Sequence, residues 1–190
     1  MRILVTGTSG GIGGAVKRVA VAAGHEVAEL NRGGFADLAA ALPSGAPPFD
    51  AVVFASGVCP VKSLVRMTDD EFAQTFETNC ALFVRLLRHI VKARLYGDAG
   101  MRVVAISSAS AIEGWAGGSA YCASKGALSA VCRALDAELS PRKISVCALE
   151  PRHVRTRMFY DCAGRMGVDP ATALDPEVFA REAVATLGIK

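Results

Sequence analysis

The sequence predicts an α/β protein: a single doubly wound, mostly parallel sheet with helices on both faces. Three observations predict it. Short β-branched runs alternate with longer amphipathic stretches, the order that gives parallel strands joined by crossover helices. The first such run, Arg2 to Thr6, leads directly into a glycine-rich turn. The 190 residues, 52% hydrophobic, suffice for one well-buried core and contain no second hydrophobic unit.

The turn reads Thr6-Gly7-Thr8-Ser9-Gly10-Gly11-Ile12-Gly13, and a helix follows with Ile12, Val16, Val19 and Ala23 on one face. Strand, glycine turn and helix together lay a pyrophosphate on helix N-terminal amides, and glycines let the backbone come close to it. The spacing Gly-x-Gly-x-x-Gly fails, because Val16 falls where the third glycine would be. Thr-Gly-x-x-x-Gly-x-Gly fits instead, at Thr6, Gly7, Gly11 and Gly13. Gly7, Thr8, Ser9, Gly11, Ile12 and Gly13 are therefore candidate cofactor contacts in a Rossmann-like unit.

Gly24-His25 closes the helix, and Glu26 to Leu30 makes a second strand ending in Asn31-Arg32. A carboxylate at this strand end grips ribose hydroxyls, whereas an arginine accommodates a 2′-phosphate. With Asn31 and Arg32 there, the sequence favours NADP(H) over NAD(H). Phe35-Ala36-Asp37 reads as a brief strand and Leu38 to Leu42 as a short helix, before the breaker run Pro43 to Pro48. Ala51 to Ala55 is a buried strand ending in Ser56-Gly57. Thr68-Asp69-Asp70-Glu71 is a capping box. Behind it Phe72, Phe76, Phe83, Leu86, Leu87 and Ile90 predict one long helix packed on the sheet, its apolar face interrupted by Asn79. Arg102 to Ile106 is the next strand and delivers Ser107-Ser108 at its carboxyl end, where open α/β sheets place reactive groups. A glycine-broken loop carries the only tryptophan, Trp115. A helix then runs from Tyr121 until Pro141, Ile144 to Leu149 forms a strand, and Pro151 to Thr156 leaves it. A last helix starts at Pro176.

Tyr121 and Lys125, four apart on that helix, share a face. A phenol is a poor base near neutral pH, and an adjacent cation favours its phenolate. The expectation is that Lys125 lowers the pKa of Tyr121 into proton-transfer range, while Ser108 holds a carbonyl or alcohol oxygen against it. A Tyr-x-x-x-Lys pair alone also occurs on surface helices by chance, so its meaning depends on the rest of the chain.

Several classes are disfavoured. A net charge of +3 without a basic run argues against nucleic acid. No apolar run is long enough to span a membrane, and the start is no signal peptide, which points to the cytoplasm. The six cysteines lack metal-ligand spacing and read as small buried hydrophobes in a reducing compartment; no metal site is expected.

Together, Thr6-Gly7-x-x-x-Gly11-x-Gly13, Ala55-Ser56-Gly57, Asn79, Ser108, Tyr121, Lys125 and Pro151-x-x-Val154-x-Thr156 resemble the classical short-chain dehydrogenase/reductase family, in a shortened member. The resemblance implies that residues 1–190 form one NAD(P)-binding domain with a short substrate segment from about 152 to 190. It implies Tyr121 as general acid/base, Lys125 as its activator and ribose ligand, Ser108 as substrate-oxygen ligand and Asn79 as part of a proton relay through water to Lys125. It adds Asp37, Ala55, Ser56, Gly57, Pro151, Val154 and Thr156 to the cofactor contacts. It further implies a small-molecule carbonyl/alcohol substrate and a homodimer or homotetramer built on the helices of Asn79 and Tyr121. Three departures stand out: Gly10 replaces a basic residue, no strand is recognisable after residue 165, and Arg152 replaces a glycine. Arg152 points either to solvent or into the pocket toward an anionic substrate. Trp115, Met158, Phe159 and Tyr160 suggest an apolar wall. The rival reading is a non-catalytic nucleotide-binding sensor or scaffold of the same fold.

Overall fold

The β-branched runs become five parallel strands: β1 (Arg2–Thr6), β2 (Glu26–Leu30), β3 (Ala51–Phe54), β4 (Met101–Ile106) and β5 (Ile144–Leu149). They lie in the order β2-β1-β3-β4-β5, and every described pairing is parallel. A computed structural model gives this architecture and describes residues 1–188, except for the side chains of residues 163, 165 and 166. The expected substrate segment to residue 190 therefore ends just outside the described residues. β1 and β3 are apolar on both sides because both faces of the sheet are covered.

One face packs α1 (Gly11–Ala22) and α7 (Pro176–Thr186): Ile3, Val5, Val53 and Val104 meet Val16, Ala20, Phe179 and Ala183. The other packs α4 (Leu82–Lys92) and α5 (Ser119–Leu139), where Leu4, Phe54 and Val103 meet Phe83, Leu86, Ile90 and Leu128. The chain leaves β1 for β2 on one side, then returns to β3 on the other. That reversal opens a crevice at the carboxyl ends of β1 and β3, the place where doubly wound sheets take ligands.

Two expectations about elements fail. The brief strand at Phe35-Ala36-Asp37 does not form: Arg32–Phe35 is a 3₁₀ turn, and Asp37 caps the single-turn helix α2 (Leu38–Ala41) by accepting from Ala40 N at 3.0 Å. Gly33-Gly34 and the breakers from Pro43 leave too little chain to lay a strand beside β2, so β2 is the sheet edge. The long helix is also not continuous. Thr68 and Glu71 do form the capping box of α3 (Asp69–Phe76), but Glu77–Ala81 is a π turn before α4. A π turn widens the helix and rotates the residues after it. Phe72 is accordingly 40% exposed and stacks on Phe76, centroids 6.4 Å apart, while Phe83 and Ile90 are buried in the core. The same turn brings Asn79 fully inside.

Beyond β5 the packing thins. α6 (Arg157–Met166) rests on a small cluster of Phe159 and Ala173 with Val168 beside them, and Val154 makes an isolated parallel bridge to Leu174. Among the described residues no strand follows β5, and no helix is long and apolar enough to cross a membrane.

Candidate active site

Thr6, fully buried, knits the ends of β1 and β3: its Oγ1 accepts from Ala55 N at 3.1 Å and Ser56 N at 3.2 Å, and lies 3.0 Å from Ser56 Oγ. Gly7 takes φ +68°, and a Cβ there would stand 2.9 Å from Ala55 O. A Cβ on Gly13 would overlap Gly7 O, so the turn closes only with glycine at both positions. At the start of α1, Gly10 supplies no side-chain cap and the first turn holds no acid. Its leading amides are thus available to an external anion. An uncapped helix start directly after a tight glycine turn fits the pyrophosphate of a dinucleotide.

Around this turn, Thr8 donates to the Glu29 carboxylate and lies 3.2 Å from Asn31 Oδ1; Lys17 pairs with the same carboxylate. The bonds from Lys17 and Thr8 hold the Glu29 carboxyl below its usual range. Glu29 was not expected from the sequence. The signal for it was its position on β2 two residues before Asn31, whose extended backbone continues the strand and puts both side chains on one face. Arg32 is exposed at the start of the 3₁₀ turn, and Asp37 spends a carboxylate oxygen on its helix cap. Thr156 packs over α1: its Cγ2 occupies the place a Cβ on Gly11 would need. Pro151 O accepts from Ala109 N at 3.0 Å, which joins the loops leaving β4 and β5.

Ser108, Tyr121, Lys125 and Asn79 come together beside Gly57. The Ser108 hydroxyl accepts from Ser110 N at 3.1 Å and hydrogen-bonds the Tyr121 phenol. Lys125 is 5% exposed; its Nζ donates to Ile106 O at 2.7 Å and stands 5.8 Å from the centre of the Tyr121 ring. Burial lowers its ammonium from 10.5 to about 8. The expected downward pull of Lys125 on the phenol is not what the structure shows. Burial pushes the Tyr121 pKa well above 10, the neighbouring Cys59 adds to that, and the Ser108 bond pulls the other way. The cation faces the ring and is committed to Ile106 O, so desolvation dominates.

The Asn79 amide donates to Val58 O at 2.9 Å and Ser124 Oγ at 2.9 Å, and accepts from Val58 N at 2.8 Å. Ser124 in turn donates to Tyr121 O at 2.8 Å. Ser124, a second residue that sequence reasoning missed, thereby joins the Asn79 turn to α5. A Cβ on Gly57 would lie 3.3 Å from Asn79 Oδ1 and 3.6 Å from Lys125 Nζ, so a bare backbone runs between the two.

Of the two directions expected for Arg152, the structure shows the solvent side: it pairs with Glu113 across the two loops, both side chains well exposed. A cleft of about 510 Å³ lined by Arg152, His153, Val168, Thr172 and Leu174 contains none of the four clustered residues. Of the suggested apolar wall, Phe159 is buried, Trp115 donates to Ser110 Oγ at 3.2 Å, and Met158 and Tyr160 are exposed.

A glycine turn with an uncapped helix start, at the switch point of a parallel sheet, defines a dinucleotide-binding fold. The family profile described as short chain dehydrogenase matches residues 31–164. The 3-oxoacyl-(acyl-carrier-protein) reductase FabG of Rickettsia felis is 30% identical over 177 residues, covering 82% of this chain and 73% of that protein. The L-xylulose reductase of Bos taurus is 26% identical, covering 83% and 73%. A solved structure titled as a short chain dehydrogenase/reductase family protein superposes with TM-score 0.79 at 25% identity, covering 98% of this chain and 89% of that one. A 4-hydroxyisoleucine dehydrogenase complexed with NADH shares the fold at TM-score 0.85 and 18% identity, over 96% of this chain and 89% of its own. The chain belongs to the short-chain dehydrogenase family, and its chemistry is that of the CH–OH/C=O oxidoreductases.

Proposed function

We propose that the protein is an NADP(H)-dependent oxidoreductase of a small carbonyl/alcohol pair, with Tyr121 as general acid in reduction and base in oxidation. The observation that carries this is the desolvated Tyr121 phenol, hydrogen-bonded to Ser108 and flanked by the buried Lys125 ammonium. When bound, the nicotinamide supplies or accepts the hydride. Gly7, Thr8, Ser9, Gly11, Ile12 and Gly13 would hold its pyrophosphate; Asn31 and Arg32 would meet the adenosine end. Ala55 to Gly57, Val154 and Thr156 would line its reactive end. Ser108 orients the substrate oxygen and Tyr121 delivers the proton. The phenol is neutral at physiological pH and so enters reduction carrying the proton it donates, while burial raises the cost of the phenolate it leaves behind. Lys125, mostly protonated at neutral pH with its value near 8, stabilises charge that develops on the phenol oxygen. Asn79 fixes the Val58 segment beside them.

NADP(H) is favoured because Arg32 is an exposed fixed cation, while the Glu29 carboxylate is already engaged by Lys17 and Thr8. We read residues 1–190 as one domain whose segment from about 152 bounds the substrate, in a cytoplasmic homodimer or homotetramer. The small surface residues Ala123 and Ala130 on α5 suit close helix pairing, and a monomer mass in light scattering at micromolar concentration refutes the oligomer.

The test is to add NADPH or NADH to a panel of ketones, sugars and acyl thioesters and follow nicotinamide absorbance. Turnover with NADPH above NADH is expected. Tight NADPH binding without turnover on any carbonyl sinks the catalytic reading.

A further inference from the structure

Two thiols that the proposed chemistry does not use face each other at the substrate side of the site. Cys59 Sγ and Cys162 Sγ are 3.6 Å apart, and Cys162 Sγ also lies 3.8 Å from Cys59 O. They are 103 residues apart in sequence, so no spacing motif announces them. Cys59 follows Val58, whose N–H and C=O are both held by Asn79, and precedes Pro60 with its fixed φ. It is a rigid anchor. Cys162 is buried on α6, which rests on the small Phe159–Ala173 cluster and is the partner free to give way. The Tyr121 phenol is near enough to feel a charge at either sulfur.

We propose that Cys59 and Cys162 are a peroxide-oxidisable pair whose disulfide ties α6 to the segment after β3 and lowers activity by displacing the substrate wall. A bond of about 2.05 Å requires the sulfurs to close by roughly 1.5 Å. The reaction balances with a hydroperoxide as oxidant. Cys59 is partly exposed, so it is the sulfur a peroxide reaches first. Its thiolate attacks the peroxide oxygen and becomes a sulfenic acid, and the leaving oxygen picks up a proton as water or an alcohol. The Cys162 sulfur then attacks the sulfenic sulfur, the S–S bond forms, and water departs with the Cys162 proton. Two thiols lose two electrons to one peroxide. Burial pushes the Cys59 thiol well up, so the thiolate is scarce at neutral pH and oxidation speeds up about tenfold per pH unit above it. A displacement of about an ångström beside a reacting centre costs up to roughly 100-fold in rate.

The loss of activity rests on the catalytic reading above; the bond and its grip on α6 do not. The wild-type protein, Cys162→Ser and Cys162→Ala are treated with hydrogen peroxide, then assayed by peptide mapping, hydrogen exchange over residues 157–166, and turnover before and after dithiothreitol. Wild type should show the 59–162 cross-link, slower exchange in α6, and a loss of turnover that dithiothreitol reverses. Both variants should keep basal activity and keep it after peroxide, since an oxidised Cys59 alone forms no bond to α6. A cross-link elsewhere, no cross-link, or equal inactivation of the variants overturns the proposal. So does a 59–162 bond that leaves both exchange and turnover unchanged. A cross-link with slowed exchange, in a protein that never turned over, keeps the bond and its grip on α6 and sinks the catalytic reading instead.

Discussion

Around α1 the chain rests on Ile3, Val5, Val16, Ala20 and Phe179, all almost completely buried, whereas α6 rests on Phe159 and Ala173 with Val168 beside them. The turn before α1 is closed at both ends, with Gly7 against Ala55 O and Gly13 against Gly7 O; the stretch between β5 and α7 is held more lightly, by the Val154–Leu174 bridge, the Pro151 O bond from Ala109 N, Cys162 against Cys59, and surface ion pairs. The contrast matches what each side must do. A dinucleotide presents the same phosphates at every turnover, and a fixed cradle spends no binding free energy on ordering itself. On the proposed reading the segment after β5 bounds the substrate, and admitting, enclosing and releasing it requires low local stability.

The largest effect is expected where the two regions meet. Tyr121→Phe should cut kcat by about 10²- to 10⁴-fold and leave NADPH affinity nearly unchanged, because only the transferable proton is lost. A variant retaining more than about a tenth of the rate removes Tyr121 from the acid's role. On the rigid side, Gly13→Ala forces a methyl group into Gly7 O and should abolish NADPH binding in calorimetry. Unaltered affinity there would break the contrast outright. Arg32→Ala should weaken NADPH by about one to two powers of ten, some 1.5–3 kcal/mol, with little change for NADH. Equal weakening of both cofactors would leave Arg32 with a structural part only. On the yielding side the effect should be smallest. Arg152→Gly removes an exposed ion pair with Glu113, and such pairs contribute about 0–1 kcal/mol. KM for anionic and neutral substrates should move alike, and a rise confined to anions would return Arg152 to recognition.

Strands, switch point and the Ser108–Tyr121–Lys125 grouping were legible in the sequence because each rests on local pattern: β-branched runs, glycine spacing, a helical i, i+4 pair. The features that escaped it depend on meetings between distant segments. The phenol's upward shift comes from burial that Tyr121 and Lys125 share, which their spacing does not report. The π turn at Glu77–Ala81 replaced one apolar stripe by two, since a widened turn leaves no composition signal. Glu29 carries no motif in the sequence, and only the fold brings Thr8 and Lys17 onto it. Cys59 and Cys162 met only through the fold.

Lys125 also makes folding and function pull apart. Its ordinary value of 10.5 falls to about 8 in the folded protein. Below about pH 8 both folded and unfolded chains carry the proton, and the folded one bears the full cost of an enclosed ammonium. Between 8 and 10.5 the unfolded chain binds a proton that the folded chain has released, so this residue's burden on stability lifts as pH rises. Cys59 and Tyr121, shifted upward from 9 and 10, act in the opposite direction at the top of that range, so the lysine's share has to be read as a difference. Relative to wild type, Lys125→Met should gain stability near neutral pH and lose that advantage by about pH 10, in urea unfolding at each pH. A gap that stays constant with pH would mean that Lys125 titrates alike in the folded and unfolded chains, so that burial costs its ammonium nothing. Near neutral pH an apolar side chain in its place would relieve the fold of the cost of an enclosed ammonium.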